Sequence, residues 1–365
     1  NSGRLSPGES TTIDVGVIAE DLDGWCSIVG HRQMGMVFDV QAIGAPNDDQ
    51  PTQAQTPTSA DASGASADLD FQAAWDEDFT GYDPVLDPAP EATTHRYTFE
   101  VTEEEIEVAP GVKQTRWTFN GDSTGPTLRG KIGDTFEITL INNGTMGHSI
   151  DFHASELAPD EPMRTIAPGE SLVYTFEAKR AGIWMYHCGT SPMTAHIGAG
   201  MAGAVIIDPP GLDEVDKEYI ITQSELYLGE QGQDINVEKA AQDNLDAVMF
   251  NGYVNQYVDR PIEAKVGERV RFWVLDIGPN RAMSFHIVGG QFHTVFKEGT
   301  YLLRDGRGPL DDPQYTNGGS QALDLVAAQG GFVELDFVEE GHYPMVNHIM
   351  ADAERGAMGI VKVTD

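Results

Sequence analysis

One stretch of the chain, GIWMYHCGTSPMTAHIGAGM, brings together three side chains that can bind a soft metal ion. It contains Cys188, then His196 after a seven-residue loop, and then Met201. A fourth candidate ligand, His148, stands upstream in GHSIDFHA. Thiolate, imidazole and a long thioether bond form the ligand set of a blue-copper centre for electron transfer. A buried cysteine with a gap-filling methionine is the alternative, but the four residues in this order favour copper.

A second group of histidines is predicted directly behind the first site. His187 precedes Cys188, and adjacent residues of a strand point to opposite faces, so His187 turns away from the thiol. His153 follows His148 by five residues and can join it. With His348, from the second half of the chain, they would form a three-histidine site with an open position for water or substrate. Each histidine alone would be interpreted as an ordinary strand residue, but the adjacency of His187 to Cys188 favours the metal site.

Reduction of an oxyanion at such an open site needs protons. Asp151 lies between two candidate ligands, where a carboxylate would stay ionised beside a cation and pass protons through water. His286, in MSFHIVGG, falls close to His153 in the internal repeat described below, and its near-neutral pKa suits a second proton donor. The alternatives are a turn-capping aspartate and a histidine packed in a core.

The elements that position these residues are short alternating strands separated by Gly, Pro and Asn turns, the pattern of an all-β sandwich. The pattern occurs twice: TFNG recurs as MFNG, KIGDTFEITLINNG as KVGERVRFWVLDIG, and AGIWMYHC as EGHYPMVN. We therefore predict tandem Greek-key β-sandwich domains over residues 91–211 and 212–365. In the second copy Asn347 replaces Cys188, so that domain has lost the blue-copper site while keeping His348.

The amino-terminal part of the chain predicts a further, incomplete domain. Cys26, His31 and Met36 follow one another with the spacing of another small copper-ligand loop, with a core cysteine and a surface histidine as the alternative. No histidine precedes Cys26, so we interpret residues 1–44 as the carboxyl-terminal fragment of a domain whose front half is missing. Residues 45–90 are predicted to be a Pro-, Ala- and Asp-rich linker followed by an extended arm that drapes over the next domain.

Composition excludes several classes of partner. The net charge is −36 and the pI is near 4.3, which argues against nucleic acid or an anionic membrane as a binding partner. No stretch has the apolar length of a membrane helix. The two cysteines are both assigned to metal loops, so no disulfide framework is indicated.

Residues 223–247 look like a surface excursion with one short helix and no chemistry.

The motifs GHSIDFHA, WMYHCGTSPMTAHIGAGM, SFHIVGG and YPMVNHIMADAERGAMG resemble the copper-containing nitrite reductases, which are trimers of two-cupredoxin subunits. The resemblance spans about residues 91–365. It implies reduction of nitrite to nitric oxide outside the cytoplasm, with a small blue-copper protein, a cytochrome or the tethered amino-terminal domain as the electron donor. The implied copper ligands are His148, Cys188, His196 and Met201 for type 1 copper, and His153, His187 and a neighbouring subunit's equivalent of His348 for type 2 copper. Asp151 and His286 match the family's proton-delivering pair.

Two alternative functions make different demands on the sequence. A laccase-like two-domain multicopper oxidase would reduce oxygen at a trinuclear cluster fed by His-x-His and His-Cys-His motifs. Neither motif occurs, since Cys188 is followed by Gly189. A blue electron carrier or copper-storage module would have no use for the second histidine group.

Overall fold

The structure, a computed structural model, describes residues 22–25, 37–40, 64–309 and 316–365. The chain divides into two units, Asn1–Ala60 and Asp61–Asp365, and each is described by itself. In the first unit, β1 (Leu22–Trp25) pairs antiparallel with β2 (Val37–Val40). The predicted ligands Cys26, His31 and Met36, and residues 45–63 of the predicted linker, lie outside the described residues. Within the described ranges, no helix is both long and apolar enough to cross a membrane.

The larger unit opens with a 3₁₀ helix, Gly64–Asp68, and continues with a first set of eight strands and one helix. These are β3 (Thr94–Ala109), β4 (Val112–Phe119), β5 (Leu128–Lys131), β6 (Thr135–Asn142), β7 (Asp151–Phe152), β8 (Ser171–Glu177), β9 (Gly182–His187), α1 (Met193–Gly198) and β10 (Ala202–Asp208). They form two four-stranded sheets in the orders β4-β3-β6-β8 and β5-β10-β9-β7. β3 and β6 run parallel, as do β5 and β10.

Buried and exposed residues alternate along the strands of the first sandwich. β6 buries every second residue and β8 does the same, as expected of sheets with one face in a core. The core includes Phe99, Phe136 and Tyr186, each at most 1% exposed. This alternation is the pattern seen in the sequence, and the prediction of an all-β chain is confirmed.

The second set contains eleven strands and three helices. These are β11 (Lys217–Leu226), α2 (Val237–Ala241), β12 (Ala247–Phe250), α3 (Gln256–Asp259), β13 (Ile262–Lys265), β14 (Arg269–Asp276), β15 (Met283–Ile287), β16 (Thr294–Lys297), β17 (Thr300–Leu303), β18 (Leu323–Leu325), β19 (Gly330–Asp336), β20 (Gly341–Asn347), α4 (Met350–Ala353) and β21 (Met358–Thr364). The sheets run β12-β11-β14-β19-β16-β17 and β13-β21-β20-β15-β18, with β11/β14 and β13/β21 parallel. The strand order of the first sandwich is thus repeated with three strands added, so the molecule contains tandem Greek-key cupredoxin sandwiches.

Hydrogen bonds around the metal-ligand positions repeat as well. In the first sandwich the Ser149 N–H donates to Cys188 Sγ at 3.4 Å. In the second, the Ser284 N–H donates to Asn347 Oδ1 at 3.0 Å. Asn347 therefore occupies the place of Cys188 in space as well as in sequence.

Backbone hydrogen bonds shared by the two sandwiches also identify the counterparts of the other ligands. Met201 N–H donates to the carbonyl of His196 at 3.1 Å, and Ala357 N–H donates to the carbonyl of Asp352 at 3.0 Å. Asp352 thus stands at the position of His196, and Ala357 at that of Met201. The second sandwich has kept the backbone of the loop and lost its soft ligands.

The segment before the first sandwich is docked along both sandwiches rather than on the first alone. Trp75 stacks on Phe79 with ring centroids 3.7 Å apart, and its indole N–H donates to the carbonyl of Val254 at 2.9 Å. Tyr82 reaches the first sandwich through Thr127, 3.1 Å away. Residues 69–90 therefore contact both sandwiches, and most of their polar partners belong to the second.

The expectation of a surface excursion at 223–247 is wrong for its first residues. Gln223 and Glu225 belong to β11 and are fully buried, because β11 pairs on both sides, with β12 and β14. Their polar groups bond inside the fold: Glu225 accepts hydrogen bonds from the backbone of Asn280 and Arg281. The short helix is present as α2.

Candidate metal centres

The loop between β9 and β10 carries three of the candidate ligands of the first site. Cys188 directly follows β9, His196 lies on α1, and Met201 directly precedes β10. Cys188 N–H donates to the Met201 carbonyl at 3.0 Å, so the loop is closed at its base by the β9/β10 ladder. His148 comes from the loop before β7 and is fixed by a bridge to Ile166.

The structure brings His148, Cys188 and His196 together with their ligand atoms all within 4.8 Å of one another. His148 Nδ1 lies 3.9 Å from Cys188 Sγ. Both residues are fully buried, and His196 is 3% exposed. Met201 is also fully buried, in the same hydrophobic core as Cys188. His148 thus turns Nδ1 toward the sulfur, while the Nε2 atoms of His148 and His196 are buried with no hydrogen-bond partner among the described residues. A thiol and two imidazoles gathered in a buried site are the donor set that suits a soft metal ion.

Burial keeps both imidazoles of the first site neutral. It lowers the pKa of His148 to about 4, with a smaller contribution from the neighbouring His196 ring. It also lowers the pKa of His196. Trp117 covers the rings edge-on, with its centroid 4.9 Å from that of His196. Neutral imidazoles are the form that binds metal, so the site meets the requirements of a soft cation without first losing a histidine proton.

A second cluster lies one residue back along β9. Asp151 and His187 are register partners on β7 and β9, and the His153 N–H donates to the Met185 carbonyl at 3.0 Å. As a result, the Nε2 atoms of His153 and His187 lie 3.1 Å apart, and Asp151 Oδ2 is 3.9 Å from each. The side chains of His187 and Cys188 therefore belong to two different groups, as neighbours on a strand should.

Hydrogen bonding fixes the tautomer of His187. Its Nδ1–H donates to the carbonyl of Cys188 at 2.9 Å, so Nε2 carries the lone pair and faces His153. A backbone carbonyl holding the far ring nitrogen is the usual support of a metal-binding histidine. Burial, followed by the neighbouring His187, lowers the pKa of His153. The side chains of Asp151 and His153 are 28% and 30% exposed, so solvent reaches this cluster but not the first.

His286 and His348 lie together in the second sandwich, with ring centroids 5.4 Å apart. His286 Nδ1–H donates to the carbonyl of Gln321, and His348 is exposed. Neither belongs to the group of Asp151, His153 and His187 within one chain. His286 pairs with Val346, one residue before Asn347, so its counterpart in the first sandwich is Asp151 rather than His153.

Comparison with known proteins places the chain in a family. A multicopper oxidase family model matches residues 100–211. The copper-containing nitrite reductase of Neisseria gonorrhoeae is 34% identical over 279 residues, covering 73% of this chain and 68% of that protein. The chain belongs to the copper-containing nitrite reductases. It is therefore an oxidoreductase by family.

Solved structures of copper nitrite reductases agree. That of the Nitrosomonas europaea enzyme is 33% identical and superimposes with a TM-score of 0.66 over 74% of this chain and 94% of its own. That of the Thermus scotoductus enzyme is 28% identical, with a TM-score of 0.65 over 74% of this chain and 62% of its own. The family resemblance predicted from the sequence motifs is therefore confirmed.

Sequence reasoning missed the residues that surround the ligands. Ser149 and Thr190 flank the thiol, and Trp117 covers the imidazoles. Arg116 is buried, with no carboxylate partner in the part of the chain that the structure describes, and it donates to the carbonyl of Gly198 at the end of α1. Ser149 is adjacent to His148 in the motif, which was the only signal available; nothing in the sequence marks the others.

Proposed function

We propose that this nitrite reductase takes electrons at a type 1 copper held by His148, Cys188, His196 and Met201. The electrons then pass through Cys188 and His187 to a type 2 copper that reduces nitrite. Copper would supply one-electron transfer at the first site and a Lewis-acidic position for nitrite at the second. The observation that supports this most directly is the placement of two consecutive side chains in two ligand clusters.

The link between the clusters is short and rigid. Cys188 and His187 share a peptide bond, and the His187 Nδ1–H hydrogen bond to the Cys188 carbonyl closes a second connection beside it. Both residues are buried, at 0% and 8% exposure. Burial of the first site keeps water and nitrite away from the thiolate, so that site is suited to electron transfer alone.

The second site is suited to chemistry because it is open and carries a proton donor. Reduction of nitrite consumes one electron and two protons and releases nitric oxide and water. Asp151 lies beside both imidazoles and contacts solvent, so it can deliver a proton and be recharged from water. We assign the second proton to His286 of the copy that also provides His348, because the two rings lie together and the Nδ1–H of His286 is held by the Gln321 carbonyl.

Completion of the second site requires another copy of the chain. His153 and His187 provide two imidazoles, and the third, His348, is exposed on the other sandwich. Ile349 and Met350 follow it and are 36% and 40% exposed, an apolar edge suited to burial in an interface. A closed homotrimer would give every copy the same contact. We also propose a location outside the cytoplasm and a small blue-copper protein, a cytochrome or the amino-terminal unit as electron donor.

Turnover with copper-loaded protein is the direct test. Nitrite and an artificial electron donor should yield nitric oxide. The protein should show a blue absorption band and bind two coppers per pair of sandwiches. Protein that binds more than two coppers in its two sandwiches and consumes oxygen but not nitrite would instead support the laccase-like alternative.

The shared site can be tested by mixing inactive copies. His153→Ala and His348→Ala trimers should each be inactive, because every site lacks one ligand. Co-expression should restore about a quarter of the sites, those that pair an intact His153 with an intact His348 from the neighbour, if the copies assort at random in a closed ring. If mixing restores no activity while both variants fold and assemble, the type 2 site does not lie between subunits.

A further inference from the structure

Three hydroxyl groups form a chain that ends at the thiol of Cys188. Ser149 is fully buried, and its Oγ lies 3.9 Å from Cys188 Sγ, while its backbone N–H donates to the same sulfur at 3.4 Å. Thr190 Oγ1 lies 3.1 Å from Ser149 Oγ, and Thr165 Oγ1 lies 2.9 Å from Thr190 Oγ1. The chain therefore runs from Thr165 to Thr190 to Ser149 to the sulfur.

The direction of the hydrogen bonds follows from counting protons. Ser149 Oγ accepts from the Gly189 N–H at 3.0 Å and from the Thr190 hydroxyl. A serine hydroxyl has two acceptor positions and one donor. Both acceptor positions are filled, so the remaining Ser149 proton points at the sulfur, its only other partner among the described residues. Thr190 gives its proton to Ser149, and so it accepts from Thr165.

We propose that Ser149 is a positioning residue that raises the reduction potential of the copper bound by Cys188, with Thr190 and Thr165 strengthening its hydrogen bond. The inference rests on the type 1 site of the proposed function. A second donor to the sulfur withdraws electron density from the thiolate, which weakens its donation to oxidised copper and favours the reduced ion. Hydrogen bonds in a chain polarise one another, so each hydroxyl reinforces the next.

The second sandwich provides an internal comparison. Its frame keeps the Ser284 N–H bond to Asn347, which replaces the cysteine. The position matching Thr190, two residues after Asn347, is occupied by Ile349, which has no hydroxyl. The hydroxyl chain is therefore present in the half that has the thiol and is interrupted in the half that lacks it, whereas the backbone donor is present in both.

The test is the midpoint potential of the blue copper, measured in the copper-loaded protein through the visible absorption band. Ser149→Ala should lower the potential, and each tenfold shift toward oxidised copper corresponds to about 59 mV for one electron. Thr190→Val should lower it less, because the Ser149 hydroxyl remains but loses its reinforcement. Ser149→Thr keeps a hydroxyl and should stay near the parent value. Ser123→Ala is the matched control, since Ser123 is buried at 2% exposure and donates to the Gly252 carbonyl, away from the sulfur.

A vibrational measurement separates this electronic role from a purely structural one. In Ser149→Ala the copper–sulfur stretching frequency should rise, and its shift on transfer to deuterated water should shrink, because one exchangeable proton no longer contacts the sulfur. An unchanged potential in Ser149→Ala, or an equal fall in Ser123→Ala, would overturn the proposal. If Ser149→Ala fails to bind copper, Thr190→Val decides by the same criterion. A parent protein without blue copper would overturn the proposed function itself, which distinguishes the two failures.

Discussion

Glu225 should make the protein less stable as the pH rises, and Glu225→Gln should remove this effect. The carboxyl group is fully buried on β11. Its Oε1 accepts from the backbone N–H groups of Asn280 and Arg281, whereas Oε2 has no hydrogen-bond partner within the described ranges. Burial raises its pKa from 4.5 to about 7, against the lowering effect of these backbone donors. Glutamine has the same shape and can keep the Oε1 bonds without ever carrying the charge.

The magnitude follows from linkage between protonation and folding. With a pKa raised in the folded state, Glu225 contributes stability that is fully present below pH 4.5 and is lost as the pH rises through 7. Between pH 5 and pH 8 the loss amounts to about 2.5 kcal/mol for this group alone. The free energy of unfolding of Glu225→Gln, relative to that of the parent, should therefore be about 2.5 kcal/mol higher at pH 8 than at pH 5.

Urea unfolding of parent and variant at the two pH values measures the difference. Protein concentration and copper content must be equal in all samples, because both change apparent stability. Glu103→Gln is the matched control: Glu103 accepts from the Thr145 N–H in the first sandwich, as Glu225 does from Asn280, but its side chain reaches solvent. The reasoning is refuted if Glu225→Gln shows no extra stability at pH 8 over pH 5, or if Glu103→Gln shows the same gain.

Three further substitutions test other parts of the structure. Cys188→Ala should abolish the blue band and the reduction of nitrite by external donors while one copper per chain remains, as metal analysis would show; retention of the band would contradict the ligand assignment. Asp151→Asn should keep both coppers and lower the turnover rate by about 10²–10⁴, the usual contribution of a positioned proton donor, and a parent-like rate would exclude that role. Trp75→Ala should destabilise the docked arm by about 3–5 kcal/mol, the cost of removing a buried aromatic ring, detectable as faster proteolysis before residue 90; unchanged protection would mean that the indole does not hold the arm.

The sequence was most informative where chemistry and period coincide. Four candidate ligands in a fixed order indicated the first site, and the two-residue period of a strand placed His187 on the opposite side from Cys188. Both inferences needed only local geometry, because β9 determines the direction of each side chain. The internal repeat similarly predicted Asn347 at the position of the thiol.

Features that depend on contacts between distant segments could not be predicted. The run QSEL looked like surface because it is polar, yet Gln223 and Glu225 are buried where β11 pairs on both sides. The bond between Ser149 and Thr190 joins two loops about forty residues apart, and a hydroxyl gives no signal of its partner until both loops are placed. The roles assigned to the site residues stay predictions, as do the boundaries of the domains.

The backbone frame shared by the two sandwiches has a consequence for the speed of electron transfer. Because Asn347 is held by the same bonds as Cys188, the frame exists without any sulfur and is a property of the fold. An ion bound in the first sandwich would then meet donor atoms that the protein already holds in place. When its oxidation state changes, those atoms have little freedom to relax, and the nuclear rearrangement that slows electron exchange in water is kept small.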